Sequence, residues 1–147
     1  MAFLVLELGL YARGHGGEVF PAPTDVYFSH TNVVEPDVVF VRADHAERVE
    51  RMFVRSTPDV VVEVSSPSTR RLELVRKREL YERFGVSEYW YVELDAERIE
   101  VYRLHERRYA APALITRGER LESPLLPGFA VAVQDVLGPL EEESAED

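Results

Sequence analysis

The chain has 147 residues, 46% of them apolar and 30% charged, with a net charge of −10 and no cysteine. That length suits one domain with a real core. The lack of cysteine excludes disulfides, zinc knuckles and thiol catalysis, and the negative charge argues against a non-specific nucleic-acid binder. No apolar run approaches the ~18 residues of a membrane span. The opening MAFLVLELGLYARGHG lacks a basic n-region and contains Glu7, so the expectation is a cytoplasmic protein without a signal peptide.

In chain order, residues 2–13 read as a short helix stopped by the glycines of GHGG. EVFPAPTDVYFS reads as a strand broken by prolines, as at an edge or bend. VVEPDVVFV is a second strand, entered through Pro36, and RADHAERVERMF a loop with a helical turn. PDVVVEVSS is a third strand, apolar on both faces and so expected in a sheet covered on both sides. SPST carries helix-start chemistry, a capping Ser with Pro67 early in the helix, which runs to about Phe84 and stops at Gly85. VSEYWYVELDAERIEVYRL alternates as a hairpin with its turn near Asp95–Glu97. The remainder reads as short strands and turns. Residues 1–140 form the expected domain, and 141–147 an acidic, disordered tail whose five acids leave −5 for the rest. The fold class is α/β, a mixed β-sheet flanked by helices.

Two residues stand out from this pattern. Glu63 interrupts the apolar strand, where an unpaired buried carboxylate costs several kcal/mol. Lys77, in the helix that follows, is the only lysine beside sixteen arginines. On a helical wheel starting at Leu72, Glu73 falls at roughly 100°, Lys77 at 140° and Tyr81 at 180°. This predicts an inner face with Glu73 and Lys77 in its middle, ringed by Leu, Phe and Tyr, and Arg76, Arg78 and Glu79 on the solvent side. A charged pair on such a face is either a structural ion pair, as of Lys77 with Glu63, or functional. Between Ser66 and Arg83 six bases oppose three acids; this segment, Arg70 and Arg71 included, permits phosphate contact, although a solvated helix face explains it equally. If the strands bearing Asp37 and Glu63 pair, their carboxylates converge beneath Lys77. One or two carboxylates, a backbone carbonyl and waters are what Mg²⁺ requires, and an adjacent ammonium can stabilise an attacking hydroxide or the developing phosphorane charge.

The order EPDVVFV … PDVVVEVSSPST … ExxxKxxxY … GVSEYWYVE … IEVYR resembles the Uma-two-type restriction-endonuclease family, a branch of the PD-(D/E)XK nuclease superfamily, from about Val19 to Leu137 and including SPLLPGF. The resemblance implies a restriction-endonuclease-like core and Mg²⁺- or Mn²⁺-dependent hydrolysis of phosphodiesters in nucleic acid, with DNA the expected substrate. Asp37 of EPD would be the PD aspartate, Glu63 the acid of the (D/E)XK strand, and Val64 the donor of a backbone carbonyl to the metal. The XK lysine would stand at Ser65; the resemblance implies its migration onto the following helix as Lys77, with Tyr81 and Glu73 orienting it. The family has Asp more often where Glu73 stands. An acid from the first helix would be Glu7. One active site per chain implies a homodimer for cutting both strands, and the edge near the aromatic hairpin is the candidate interface.

Other signals weigh less. The four histidines show no HxxxH or HExxH spacing and read as loop or surface residues. Ser65 and Ser66 lack a Gly-x-Ser-x-Gly context. Asp59 shares the side of Glu63 but lies ~13 Å along the strand, too far to ligate the same ion. Tyr89, Trp90 and Tyr91 read as core and interface aromatics. The rival reading keeps the fold but makes it a catalytically inactive module binding nucleic acid or protein, its acid–lysine cluster a buried ion network. A hydrolase of small phosphoesters is a third.

Overall fold

The computed structural model describes residues 1–51, 53–65 and 71–139. Helix α1 (Ala2–His15) leads into strands β1 (Glu18–Pro21), β2 (Val26–Tyr27), β3 (Val33–Val34) and β4 (Val38–Val41). A 3-10 turn (Ala43–Arg48) precedes β5 (Val54–Arg55) and β6 (Val60–Ser65), and helix α2 (Arg71–Arg83) follows. Then come β7 (Glu88–Glu93), β8 (Arg98–His105), β9 (Arg108–Tyr109), β10 (Ala113–Thr116), β11 (Arg120–Glu122), β12 (Ala130–Ala132) and helix α3 (Val133–Leu137). The expected SPST helix start, Arg70 and the acidic tail lie outside the described residues.

The main sheet runs β1-β4-β6-β7-β8-β10, with β9 also on β8. It is mixed: β6 and β7 pair in parallel and the other neighbours are antiparallel. A parallel pair needs a crossover, and α2 supplies it. Alternation sorts the side chains onto two faces. On one face Val60, Val62, Trp90 and Val101 pack with Leu4 and Leu8 of α1, and with Leu121, Val131 and Val133 from the β11–β12 pair and α3. On the other, Val61 and Tyr89 meet Tyr81 of α2, while Val39 and Val41 meet Val26 and Val54 of the small β3-β2-β5 sheet. Cover on both faces is why β6 reads as nearly unbroken valine. Among the described residues no helix is long and apolar enough to cross a membrane.

Three expectations need correction. The inner face of α2 is not centred on Glu73 and Lys77. Leu72 is 64% exposed and Glu73 is exposed, whereas Leu74, Lys77, Arg78 and Tyr81 face the sheet. Arg78, assigned to solvent, lays its stem inward and sets its guanidinium 5.2 Å from the Tyr102 ring centroid, as long charged side chains can do over apolar surface. The β7–β8 hairpin is no edge, because β10 and β9 pair with the outer side of β8; the outermost strands of the main path are β1 and β10. Finally, AVAVQDVLG ends in a short helix, where Asp135 occupies the first turn and Gly138, at φ 81°, closes it.

Candidate active site

The β4–β6 register pairs Val38 with Val62; one residue further it sets Asp37 opposite Glu63 on the α2 side of the sheet. β4 begins only at Val38, two residues after Pro36, so its pairing with β6 ends short of Glu63 and the sheet opens here. The Val64 N–H, left without a ladder partner, donates to Asp37 Oδ2 at 2.7 Å. In a strand the N–H and C=O of one residue face the same neighbour, which turns the Val64 carbonyl toward the Asp37 side.

Glu63 is 4% exposed and held from above by α2. Tyr81 Oη donates to Oε1 at 2.6 Å, and Lys77 Nζ donates to Oε2 at 3.4 Å. Residues 77 and 81 share a helix face at i,i+4 spacing, so one helix supplies both donors. Lys77 Nζ also lies 3.5 Å from Glu73 Oε1, which ties the ammonium between a buried and an exposed carboxylate. Burial raises the Glu63 carboxyl above the usual carboxylate range; the Tyr81 hydrogen bond and the Lys77 charge oppose this, and the Asp37 charge adds to it. Burial, then the Glu63 charge, raises the Tyr81 phenol, which therefore stays a donor. Beside Glu63, its register partner Tyr91 donates to the Ser65 carbonyl at 3.2 Å, with the Ser65 hydroxyl also 3.2 Å away. The position expected to hold the XK lysine thus carries a buried pair of hydroxyls.

Asp37, Glu63, Val64, Lys77, Tyr81 and Glu73 therefore meet around the open end of β4 and β6. Arg71 opens α2 and is exposed. Glu7 lies on α1, across the sheet from Glu63. Asp59 is occupied elsewhere: Oδ2 accepts the Arg42 N–H and Oδ1 the His45 Nδ1, both at 2.7 Å, tying the 3-10 turn to β6. Among the described residues no three His, Cys, Asp or Glu side chains gather as a metal cage. Two carboxylates and one carbonyl, open to solvent on one side, do fit a hard cation that keeps waters and substrate oxygens as its remaining ligands.

Tyr91, Glu93, Arg98 and Glu100 were not recognised as neighbours of this site. Alternation along EYWYVE and RIEVY puts them on its face; what the sequence lacks is the parallel β6–β7 register that sets Tyr91 beside Glu63.

The fold is similar to that of a crystal structure described as a "putative nuclease belonging to DUF820" from Anabaena variabilis ATCC 29413. The TM-score is 0.74 at 14% sequence identity, over 92% of this chain and 76% of that one. No curated protein matches the chain. The model of a family described as "Putative restriction endonuclease" matches residues 1–134, and the chain is accordingly a member of that family, Uma2.

Proposed function

We propose that the chain is a metal-dependent phosphodiester hydrolase, an endonuclease acting on DNA in the cytoplasm, with Mg²⁺ or Mn²⁺ held by Asp37, Glu63 and the Val64 carbonyl. The observation that carries this reading is a carboxylate only 4% exposed, set opposite a second carboxylate and gripped by a lysine and a tyrosine from one helix. A structural ion pair alone needs neither Asp37 nor the open end of the sheet.

An ion held by Asp37, Glu63 and the Val64 carbonyl would supply Lewis-acid polarisation of a phosphoryl oxygen. The chain does the rest. Tyr81 fixes Glu63 Oε1, so Oε2 keeps one direction. Glu73 restrains the Lys77 stem from the solvent side. The ammonium orients the attacking water and offsets the negative charge that grows on the phosphoryl group as water adds to phosphorus and one P–O ester bond breaks. Lysine suits this place better than arginine, being a compact charge on a flexible stem. Arg71, at the start of α2, is this reading's candidate for contact with a flanking phosphate, and Arg70, next to it in sequence, is the second. One site cuts one strand, so cutting a duplex needs a homodimer.

Plasmid nicking with Mg²⁺ or Mn²⁺ tests the reading. Wild type should nick, while Glu63→Ala and Lys77→Ala, both still folded by circular dichroism, should lose about 10²-fold or more, the scale of removing one preorganised electrostatic group. If wild type cleaves neither duplex, single-stranded DNA nor RNA, the chain is a non-catalytic binding module whose acid–lysine cluster holds the fold.

A further inference from the structure

One strand beyond Glu63, the same face of the sheet holds a cavity. Tyr91 pairs with Glu63 and Glu100 with Tyr91, so the row Glu63, Tyr91, Glu100 crosses three strands in steps of about 4.8 Å. Between this row and α2 lies a space of about 230 Å³ walled on the helix side by Leu74 and Val75. That is below the ~300–1,000 Å³ of pockets for drug-sized ligands and fits one planar ring system.

Its lining has two parts. The first is flat: the Arg78 guanidinium lies over the Tyr102 ring, donating to its hydroxyl at 3.1 Å, and so offers its outer plane, while beneath it Tyr102 packs on Tyr89 with centroids 5.6 Å and planes 19° apart. The second is a polar edge: Arg98 bridges Glu93 and Glu100, 3.1 Å from each, giving donors and acceptors side by side. Stacking surfaces beside a mixed donor–acceptor edge are the means by which proteins hold splayed, unpaired bases.

We infer that this cavity takes one unpaired nucleobase of the strand being cut, which makes the substrate single-stranded or locally opened nucleic acid rather than intact duplex. The inference rests on the nuclease reading above, and its geometry is that of one nucleotide: the cavity begins at Tyr91, immediately beside the carboxylate that would face the scissile phosphate. A base inside a duplex has its pairing edge and both faces occupied, so it can enter a pocket beneath a helix only after leaving the stack.

The test uses the full chain with oligonucleotides of one sequence, single-stranded and duplex, carrying 2-aminopurine in place of adenine. Cleavage is followed with Mn²⁺, and fluorescence with Ca²⁺ to slow turnover. Wild type should cut the single strand faster than the duplex and quench 2-aminopurine. Arg78→Lys keeps the charge but not the plane; it should lose about ten-fold in single-strand cleavage, the scale of one base–aromatic stack, and lose the quench, while Mn²⁺ still raises its melting temperature. Equal cutting of both substrates, with Arg78→Lys matching wild type, would overturn the inference and leave the nuclease standing. Quenching without any cleavage would support the base pocket and defeat the nuclease reading; neither quenching nor cleavage would defeat both.

Discussion

Glu63 carries an energetic cost that burial imposes. Its carboxyl sits above the ordinary carboxylate range because burial outweighs the help of Tyr81 and Lys77. The folded state therefore binds this proton more tightly than the unfolded chain does. Across the window from the ordinary carboxylate pKa up to the raised folded value, stability falls as pH rises; below that window both states are protonated and the cost disappears. Glu63→Gln keeps an acceptor for Tyr81 and cannot ionise. In metal-free buffer it should be more stable than wild type near neutral pH, by on the order of 1–3 kcal/mol, the scale of relieving one poorly solvated polar group. The gap should shrink as pH drops into the ordinary carboxylate range. Urea denaturation at a series of pH values measures it, and a gap independent of pH would show that burial does not govern this carboxyl. The tyrosine matters for the same reason: a phenol raised by burial and by Glu63 remains a donor throughout the window.

At the level of elements, the strands and α2 were legible because their periods are strong; Glu63 stood out because it breaks an apolar strand and Lys77 because it is the only lysine, whereas Asp37 and Tyr81 took their roles from the family resemblance. What was not legible depends on neighbours in space. The wheel centred the inner face of α2 on Glu73 and Lys77, since apolar side chains such as Leu72 were assumed to face inward; the sheet instead offers Tyr102, which accepts a guanidinium, and Leu72 is left in solvent. Glu88, buried on the opposite face, escaped notice because its partners, the Trp90 indole N–H and the Ser123 hydroxyl at 2.8 Å each, come from its own strand and from a segment 35 residues on. Asp59 bonds to the 3-10 turn and not to Glu63, and these partners could not be read from spacing. That separation is testable. Asp59→Ala removes a buried acceptor for the Arg42 N–H and for His45, and should destabilise the fold by about 1–3 kcal/mol. Mn²⁺ should raise its melting temperature by as much as it raises that of wild type. Loss of the metal response would place Asp59 among the ligands.

For the whole molecule, the charge distribution sets the terms on which a cation binds. The net charge of −10 includes five acids in residues 141–147, so a rise in melting temperature with metal could in principle come from ions gathered anywhere on the surface. A bound ion at one site stabilises by RT ln(1 + [L]/Kd), about 2.7 kcal/mol at a hundred-fold excess over Kd, and keeps rising with the logarithm of concentration. Diffuse binding to exposed acids is instead screened away by salt. Wild type in 0.15 M salt should therefore show a melting temperature that climbs with Mn²⁺, and Asp37→Asn and Glu63→Gln should show a flat one. Lys77→Ala separates the roles further. Its ammonium lies 3.4 Å from Glu63 Oε2 and repels a second cation there, so its removal should leave the metal response intact or enlarge it while cleavage is lost. If Lys77→Ala instead abolishes the metal response, the lysine builds the site rather than serving the water within it; if Asp37→Asn keeps the full response, the ion lies elsewhere and the carboxylate pair at the open end of β4 is structural.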